Sequence, residues 1–196
     1  MNYYYIYKFD DNIQKYLETN KDKKNKLLNE EIIFTTVKSS IKDYHYNNQS
    51  ITTFKISSNE YHKKSTVKIR IKSKFFFISA TTEGQKNEVI ENLIKFFEKI
   101  GNVENFIPSP KKEKKLICDA EEKELKFFYE NDIVHNEKIA NDYCQNGIIN
   151  KKYSLFEAEL IFKDNNSLLY YRDAINIESD NEEFIIQKFE NIMGDG

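Results

Sequence analysis

Glycine and proline are scarce in this chain of 196 residues, with five glycines and only Pro108 and Pro110. No segment is glycine-rich enough to wrap a phosphate by the usual nucleotide-binding motifs. Tryptophan is absent, and Arg70 and Arg172 are the only arginines among 30 basic residues. Cysteine is limited to Cys118 and Cys144, 26 positions apart and in no Cys-x-x-Cys spacing. That usage fits a reduced, intracellular setting better than a disulfide framework. No apolar run approaches the ~20 residues a membrane-crossing helix needs, so no membrane partner is expected. Met1 to Phe9 is tyrosine-rich and lacks the cationic start and apolar stretch of a secretory signal. His45, His62 and His135 are scattered, without carboxylate or cysteine at ligand spacing, so neither metal nor cofactor is expected. No Ser/His/Asp, Cys/His or paired-carboxylate arrangement has a supporting local signature, and the chain is not expected to be an enzyme.

What is present is aromatic and lysine-rich. Hydrophobic residues make up 39% and aromatics 14%, enough for a packed core despite 32% charged residues. The net charge of −2 is unevenly spread. Residues 1–101 carry 18 Lys and Arg against 12 Asp and Glu, whereas residues 102–196 carry 12 against 20. Such asymmetry is expected where two halves meet different partners.

Residues 11–28 read as a surface helix or an extension. Strands are expected at Ile32 to Val37, Ile51 to Ile56, Thr66 to Ile71 and Phe75 to Ile78, from β-branched and aromatic content and from alternation in Thr66 to Ile71. A helix over 85–100 follows from Val89, Leu93, Phe96, Phe97 and Ile100, with Gly101 placed as a left-handed cap. Residues 102–114 read as a linker, containing both prolines and most of the run Lys111 to Lys115. The second half is expected to hold Leu116 to Cys118, Leu125 to Tyr129, a short helix within Asn131 to Gln145, and strands at Phe156 to Phe162, Ser167 to Tyr171 and Ala174 to Ile177. A closing helix, 181–193, has Asp180 as N-cap and ends at Gly194. A shift of 93 residues lays Lys95 on Lys188, Phe96 on Phe189, Ile100 on Met193 and Gly101 on Gly194. This points to an internal repeat. The organisation is therefore an extension over 1–29, a first repeat over 30–101, the linker, and a second repeat over 115–196.

Two runs of antiparallel strands, each closed by a long helix, resemble the core of the TATA-box-binding protein family. Tyr153-Ser154-Leu155-Phe156 and the strand to Phe162 resemble that family's Tyr-x-x-x-Leu-Phe-Pro-Gly-Leu-Ile-Tyr stretch, with Glu157 and Ala158 in place of Pro-Gly. Leu168 to Tyr171 resembles its Leu-Leu-Ile-Phe strand, and Phe189-Glu190-Asn191-Ile192 its Phe-Glu-Asn-Ile helix. Gly101 to Phe106 resembles the Gly-x-x-x-x-Phe that follows its first long helix. The likeness spans residues 29–194.

The resemblance implies an α+β fold: a saddle-like antiparallel sheet of two pseudo-symmetric repeats with helices on the convex face. It also implies minor-groove binding, with apolar wedges that kink AT-rich promoter DNA. Phe156 matches one wedge and Tyr170 its partner, with Leu169 and Tyr171 within alignment error. Phe54 matches the first-half wedge, whose partner falls on Arg70 or Ile71. Phe76, Ile78, Ile175 and Ile177 fall on the next strands, which face DNA in the family. Lys68, Arg70, Lys72 and Lys74 read as a basic stripe, either phosphate-contacting or simply solvated. The aromatics are either wedges or core, and parity along each strand decides. Two readings follow. One is a transcription-initiation factor that binds duplex promoter DNA and recruits a transcription-factor-IIB-like protein and RNA polymerase, in a nucleus or a viral factory. The other is a protein-interaction module of the same fold that has lost DNA binding and serves as a subunit of a larger complex. The acidic net charge weighs against the first.

Overall fold

The computed structural model describes the backbone of residues 2–20, 27–29, 32–34, 44–46, 49–57, 64–79, 94–135, 137–146 and 153–194, and side chains over 3–19, 68–79, 94–135, 141–145 and 153–194. The chain divides into two compact units, Tyr4–Phe106 and Ile107–Gly196 with Met1–Tyr3, here called the N-terminal and C-terminal units. Both combine helices with antiparallel strands, so the expected α+β class is met. Among the described residues, no helix is long and apolar enough to cross a membrane.

The N-terminal unit holds β1 (Asn2–Phe9), α1 (Asp11–Asn20), β2 (Leu27–Asn29), β3 (Ile32–Phe34), β4 (Tyr44–Tyr46), β5 (Gln49–Ser57), β6 (Lys64–Arg70), β7 (Phe75–Ser79), the described part of α2 (94–98) and β8 (Val103–Asn105). Its strands run in the order β1-β7-β6-β5-β4, with β8 also on β1 and with β2 and β3 forming a separate hairpin. Within the segment expected as an extension, residues 2–20 form β1 and α1. Tyr4 to Lys8 pair with Phe75 to Ser79, and Ile13 and Leu17 of α1 are buried, one helical turn apart. These two pack with Phe9, Ile69, Phe76, Ile78 and Phe97 into one cluster. On α2 it is Phe97, not Phe96, that is fully buried.

Asp10 starts α1, accepting the Ile13 N–H at 3.0 Å and the Asn102 N–H at 2.9 Å. Burial alone would raise its carboxyl pKa, but the backbone donors, led by Ile13 and Asn102, hold it below its ordinary value. Gly101 owes its place to this carboxylate. It is not in the left-handed conformation expected of a cap; a Cβ at 101 would instead overlap the Asp10 carboxylate.

The C-terminal unit holds α3 (Pro110–Cys118), β9 (Glu122–Tyr129), β10 (Asp132–His135), α4 (Glu137–Asn146), β11 (Ser154–Phe162), β12 (Asn166–Tyr170), β13 (Ala174–Ile177) and α5 (Glu182–Met193). The strands run β10-β9-β11-β12-β13, all antiparallel. The expected linker is in large part α3, which also takes up Leu116 to Cys118. Ser109 caps it by accepting the Lys112 N–H, Pro110 sits at its first turn, and Leu116 and Ile117 are fully buried. Lys112 Nζ donates to the carbonyls of Met193 and Gly194 at 2.9 and 3.1 Å, satisfying the end of α5. At the start of α5 the cap is Asn181 rather than Asp180, accepting the Phe184 N–H at 3.2 Å.

A strand or hairpin, a helix, a strand series and a helix follow one another within each unit, as β1-α1-β2 to β7-α2 and as β9-β10-α4-β11 to β13-α5, with β8 after the first run and α3 before the second. Strand adjacency nevertheless differs between them. β1 pairs with β7, the last strand of its series, whereas β9 pairs with β11, the first of its own. The 93-residue shift equates half-buried Phe96 with fully buried Phe189.

Candidate interaction surface

Parity along β11 decides which side chains the C-terminal unit can present. Leu155, Ala158, Leu160 and Phe162 are all buried, although an uninterrupted strand would put Leu155 on the face opposite the other three. A bulge resolves the conflict: the register with β9 jumps between Leu155 and Glu157, and Phe156 is the extra residue. Its ring packs edge-on against Phe128 with centroids 4.7 Å apart. Phe156 is thus half-buried at the sheet surface, the one expected wedge whose side chain is seen outside the core.

The open face of this sheet is built from alternate residues of β9, β10, β11 and β12. Ile133 lies directly opposite Phe128, and these two are 53% and 42% exposed. With Phe156 they make an apolar patch beside the β9–β10 turn. Glu130 and Asn131 form that turn, both with positive φ, as a two-residue hairpin of this hand requires. Glu-Asn is not a turn pair that announces itself in a sequence; the short helix expected within Asn131 to Gln145 is α4, which starts only at Glu137.

Carboxylates continue along the strands away from the β9–β10 turn. Glu122, Glu124, Glu157 and Glu159 alternate along β9 and β11, and Glu124 stands directly opposite Glu159. A like-charged cross-strand pair is unfavourable. His135 on β10 meets Glu124 at 2.6 Å. Lys126 Nζ meets Glu157 Oε1 at 2.6 Å, and the Tyr171 hydroxyl donates to Glu157 Oε2 at 2.8 Å. Burial opposes ionisation of Glu157, but Lys126 and Tyr171 together hold its carboxyl below the ordinary value. Burial, then the hydrogen bond to Glu157, pushes the Tyr171 phenol up to about 12. Tyr3 packs on Tyr171, ring centroids 6.0 Å apart.

Most residues expected to touch DNA are elsewhere. Tyr170 is 1% exposed and donates to Glu113 Oε2 at 2.8 Å, beneath α3. Burial, then the Glu113 charge, raises its phenol strongly. Glu113, inside the expected linker, also accepts from Tyr143 at 3.5 Å and lies 3.4 Å from Arg172 Nε. Ile175 and Ile177 stand in register with Tyr170 and Leu168 in the same core. Phe76 and Ile78 are wholly buried with α1 and α2. Arg70 is 1% exposed and sits in register with buried Phe75. Phe54 lies opposite Val67, which lies opposite Ile78; its side chain lies outside the described residues. Tyr170, Ile175, Ile177, Phe76, Ile78 and Arg70 are turned into the core by strand parity and helix packing, and a side chain so placed cannot wedge between base steps.

The basic stripe also breaks up. β6 ends at Arg70, and Lys72 and Lys74 lie in or beside the turn that follows. Lys74 has φ 62° and pairs with Asp11, Lys72 is exposed, and the Lys68 ammonium is 5.6 Å from the Tyr4 ring centroid. Among the described residues, no three His, Cys, Asp or Glu side chains cluster in a way that holds a metal ion. No protein-family model matches the chain, and no curated protein matches it in sequence.

Proposed function

We propose that this chain is a protein-interaction module whose C-terminal unit docks a basic, apolar-tipped segment of another protein on its open sheet face. The carrying observation is the exposed pair Phe128 and Ile133 set beside the directly opposed Glu124 and Glu159. An apolar anchor supplies affinity, and a basic partner relieves the like-charge contact. The same carboxylates repel phosphate, so this face disfavours the duplex DNA that the TATA-binding resemblance implies. The strand–helix–strands–helix order in each unit supports that resemblance as far as element order; strand adjacency and the buried wedge positions weigh against carrying its DNA chemistry over.

The test uses fluorescence anisotropy with three probes: a synthetic peptide alternating Lys and Leu, its Glu-for-Lys counterpart, and an AT-rich duplex. The Lys/Leu peptide is expected to bind, with Phe128→Ala weakening it roughly tenfold, the 1–2 kcal/mol of a modest anchor. Glu124→Gln with Glu159→Gln is expected to weaken peptide binding while leaving the fold as stable or slightly more so. Salt-dependent duplex binding that is indifferent to Phe128 would sink the proposal in favour of the transcription-factor reading.

A further inference from the structure

Sequence spacing gave no reason to join Cys118 and Cys144, yet the fold brings them together. Cys118 is the last residue of α3 and Cys144 lies in the last turn of α4. Both are free thiols, both are half-buried, and their Sγ atoms are 2.6 Å apart. That is about half an ångström beyond a covalent S–S bond of ~2.05 Å. The separation leaves no room for a bridging ion, since a thiolate–zinc bond alone is ~2.3 Å.

Neighbouring contacts hold both helices in place. Lys112 anchors α3 to the end of α5, and Asp119, just beyond α3, pairs with Lys188 at 2.6 Å. Tyr143, next to Cys144, reaches Glu113 on α3. The thiols therefore meet as a consequence of packing around a buried carboxylate, not as two exposed groups that collide.

We infer that Cys118 and Cys144 are a reversible disulfide site that cross-links α3 to α4, with a glutathione-class disulfide as oxidant. One cysteine thiolate attacks a sulfur of the oxidised glutathione, breaking its S–S bond and releasing one glutathione thiolate, which takes up a proton. The second cysteine, on losing its proton, attacks the protein-bound sulfur of the mixed disulfide and releases the second glutathione. Two protein thiols and one glutathione disulfide thus become one protein disulfide and two reduced glutathiones. Burial, then the hydrogen bond that Cys118 donates to Cys144 and the proximity of that thiol, pushes the Cys118 thiol up to about 11, which makes the exchange slow at neutral pH. The closed loop contains β9 and β10, and so spans the hairpin with Phe128 and Ile133. The inference stands apart from the interaction reading, because it concerns only the thiols and the helices that carry them.

The test equilibrates the full chain in glutathione buffers from reducing to fully oxidised, starting both from reduced and from diamide-oxidised protein. Free thiols are alkylated and the protein is mapped by mass spectrometry. Both thiols are expected to disappear together, with one linked peptide pair joining Cys118 to Cys144 in a monomer. The melting temperature is expected to rise by roughly 5–10 °C on oxidation and to fall back with dithiothreitol. Cys144→Ser is expected to abolish both the linked peptide and the shift. Two thiols that stay alkylatable in the folded chain under oxidised glutathione from both starting points would overturn the inference. So would a disulfide that forms only between chains. The comparison of wild type with and without reductant decides the matter even if a serine variant folds poorly.

Discussion

β7 and β11 carry similar aromatic and aliphatic content and end in opposite situations. On β7, Phe75, Phe76, Phe77 and Ile78 are all fully buried, so both faces of that strand are covered. Phe76 and Ile78 pack with α1 and α2, while Phe75 meets Phe106 with ring centroids 4.9 Å apart and Tyr4 meets Phe77 at 6.4 Å. On β11, buried Ala158, Leu160 and Phe162 alternate with exposed Glu159 and half-buried Ile161, so one face stays open. Four consecutive apolar residues describe a strand enclosed on both sides, whereas alternation describes a strand with a free face. Among the described side chains, β7 thus has no open face, whereas β11 presents one to a partner.

This contrast is sharpest under alanine substitution. Phe76→Ala and Phe77→Ala, on opposite faces of β7, are both expected to cost about 3–5 kcal/mol. In the C-terminal unit the cost is expected to depend on the face: Leu160→Ala about 2–5 kcal/mol, and Phe128→Ala about 1 kcal/mol or less. Denaturant titration of the four variants measures this directly. A mild Phe77→Ala would show that β7 has an open face after all, and a severe Phe128→Ala would show that the patch is core.

The same contrast explains how much was legible in the sequence. The strands β5, β6, β7, β9, β11, β12 and β13 and the closing helix emerged because their periodicity is local, whereas β8 and β10 were not expected. Ala174 to Ile177 matches β13 to the residue, and α5 begins one residue later than expected. The unbroken run Phe75 to Ile78 already signalled enclosure on both faces, but alignment to a family whose strands face DNA assigned Phe76 and Ile78 outward. The bulge at Phe156 was not legible, since an extra residue is a property of the pairing and not of one strand. Neither was α3. Its Ser-Pro start and lysine run look like a linker until Glu113 and Leu116 find a core, and Glu113 became visible only once Tyr143 and Tyr170 converged on it. The meeting of Cys118 with Cys144 had no local signal at all.

Each unit also ties its parts together through one carboxylate, and the two are expected to differ in strength. Glu113 is buried and receives two phenols and a guanidinium, whereas Asp10 receives backbone N–H groups at a solvent-facing helix start. Glu113→Ala strands buried hydroxyls and is expected to cost about 2–3 kcal/mol. Asp10→Ala loses a helix cap and is expected to cost about 1 kcal/mol. Equal costs in urea titration would remove the distinction between a buried hub and a cap.

The smallest expected effect separates the units by pH. In the C-terminal unit, Glu157 ionises below its ordinary 4.5 while Lys126 is raised above its ordinary 10.5, the latter chiefly by the hydrogen bond to Glu157 and its charge. A depressed carboxylate contributes stability that is present above its unfolded pKa and is lost as pH falls through the lower folded value. A raised lysine contributes stability that is present below its unfolded pKa and is lost as pH climbs through the higher folded value. Tyr171, at about 12, follows the alkaline rule as well. The cluster's contribution is therefore flat between about pH 5 and 10, with one acid and one alkaline limb. Lys126 is partly exposed, so the contribution is expected to stay within about 1 kcal/mol. Asp10 in the N-terminal unit, also depressed, supplies an acid limb alone. The stability difference between wild type and Glu157→Gln, followed by urea titration from pH 3 to 11, is expected to plateau between about pH 5 and 10 and to shrink toward both extremes. The same measurement on Asp10→Asn is expected to shrink only on the acid side. A Glu157→Gln difference independent of pH would mean that Lys126 and Tyr171 meet Glu157 without linkage to folding.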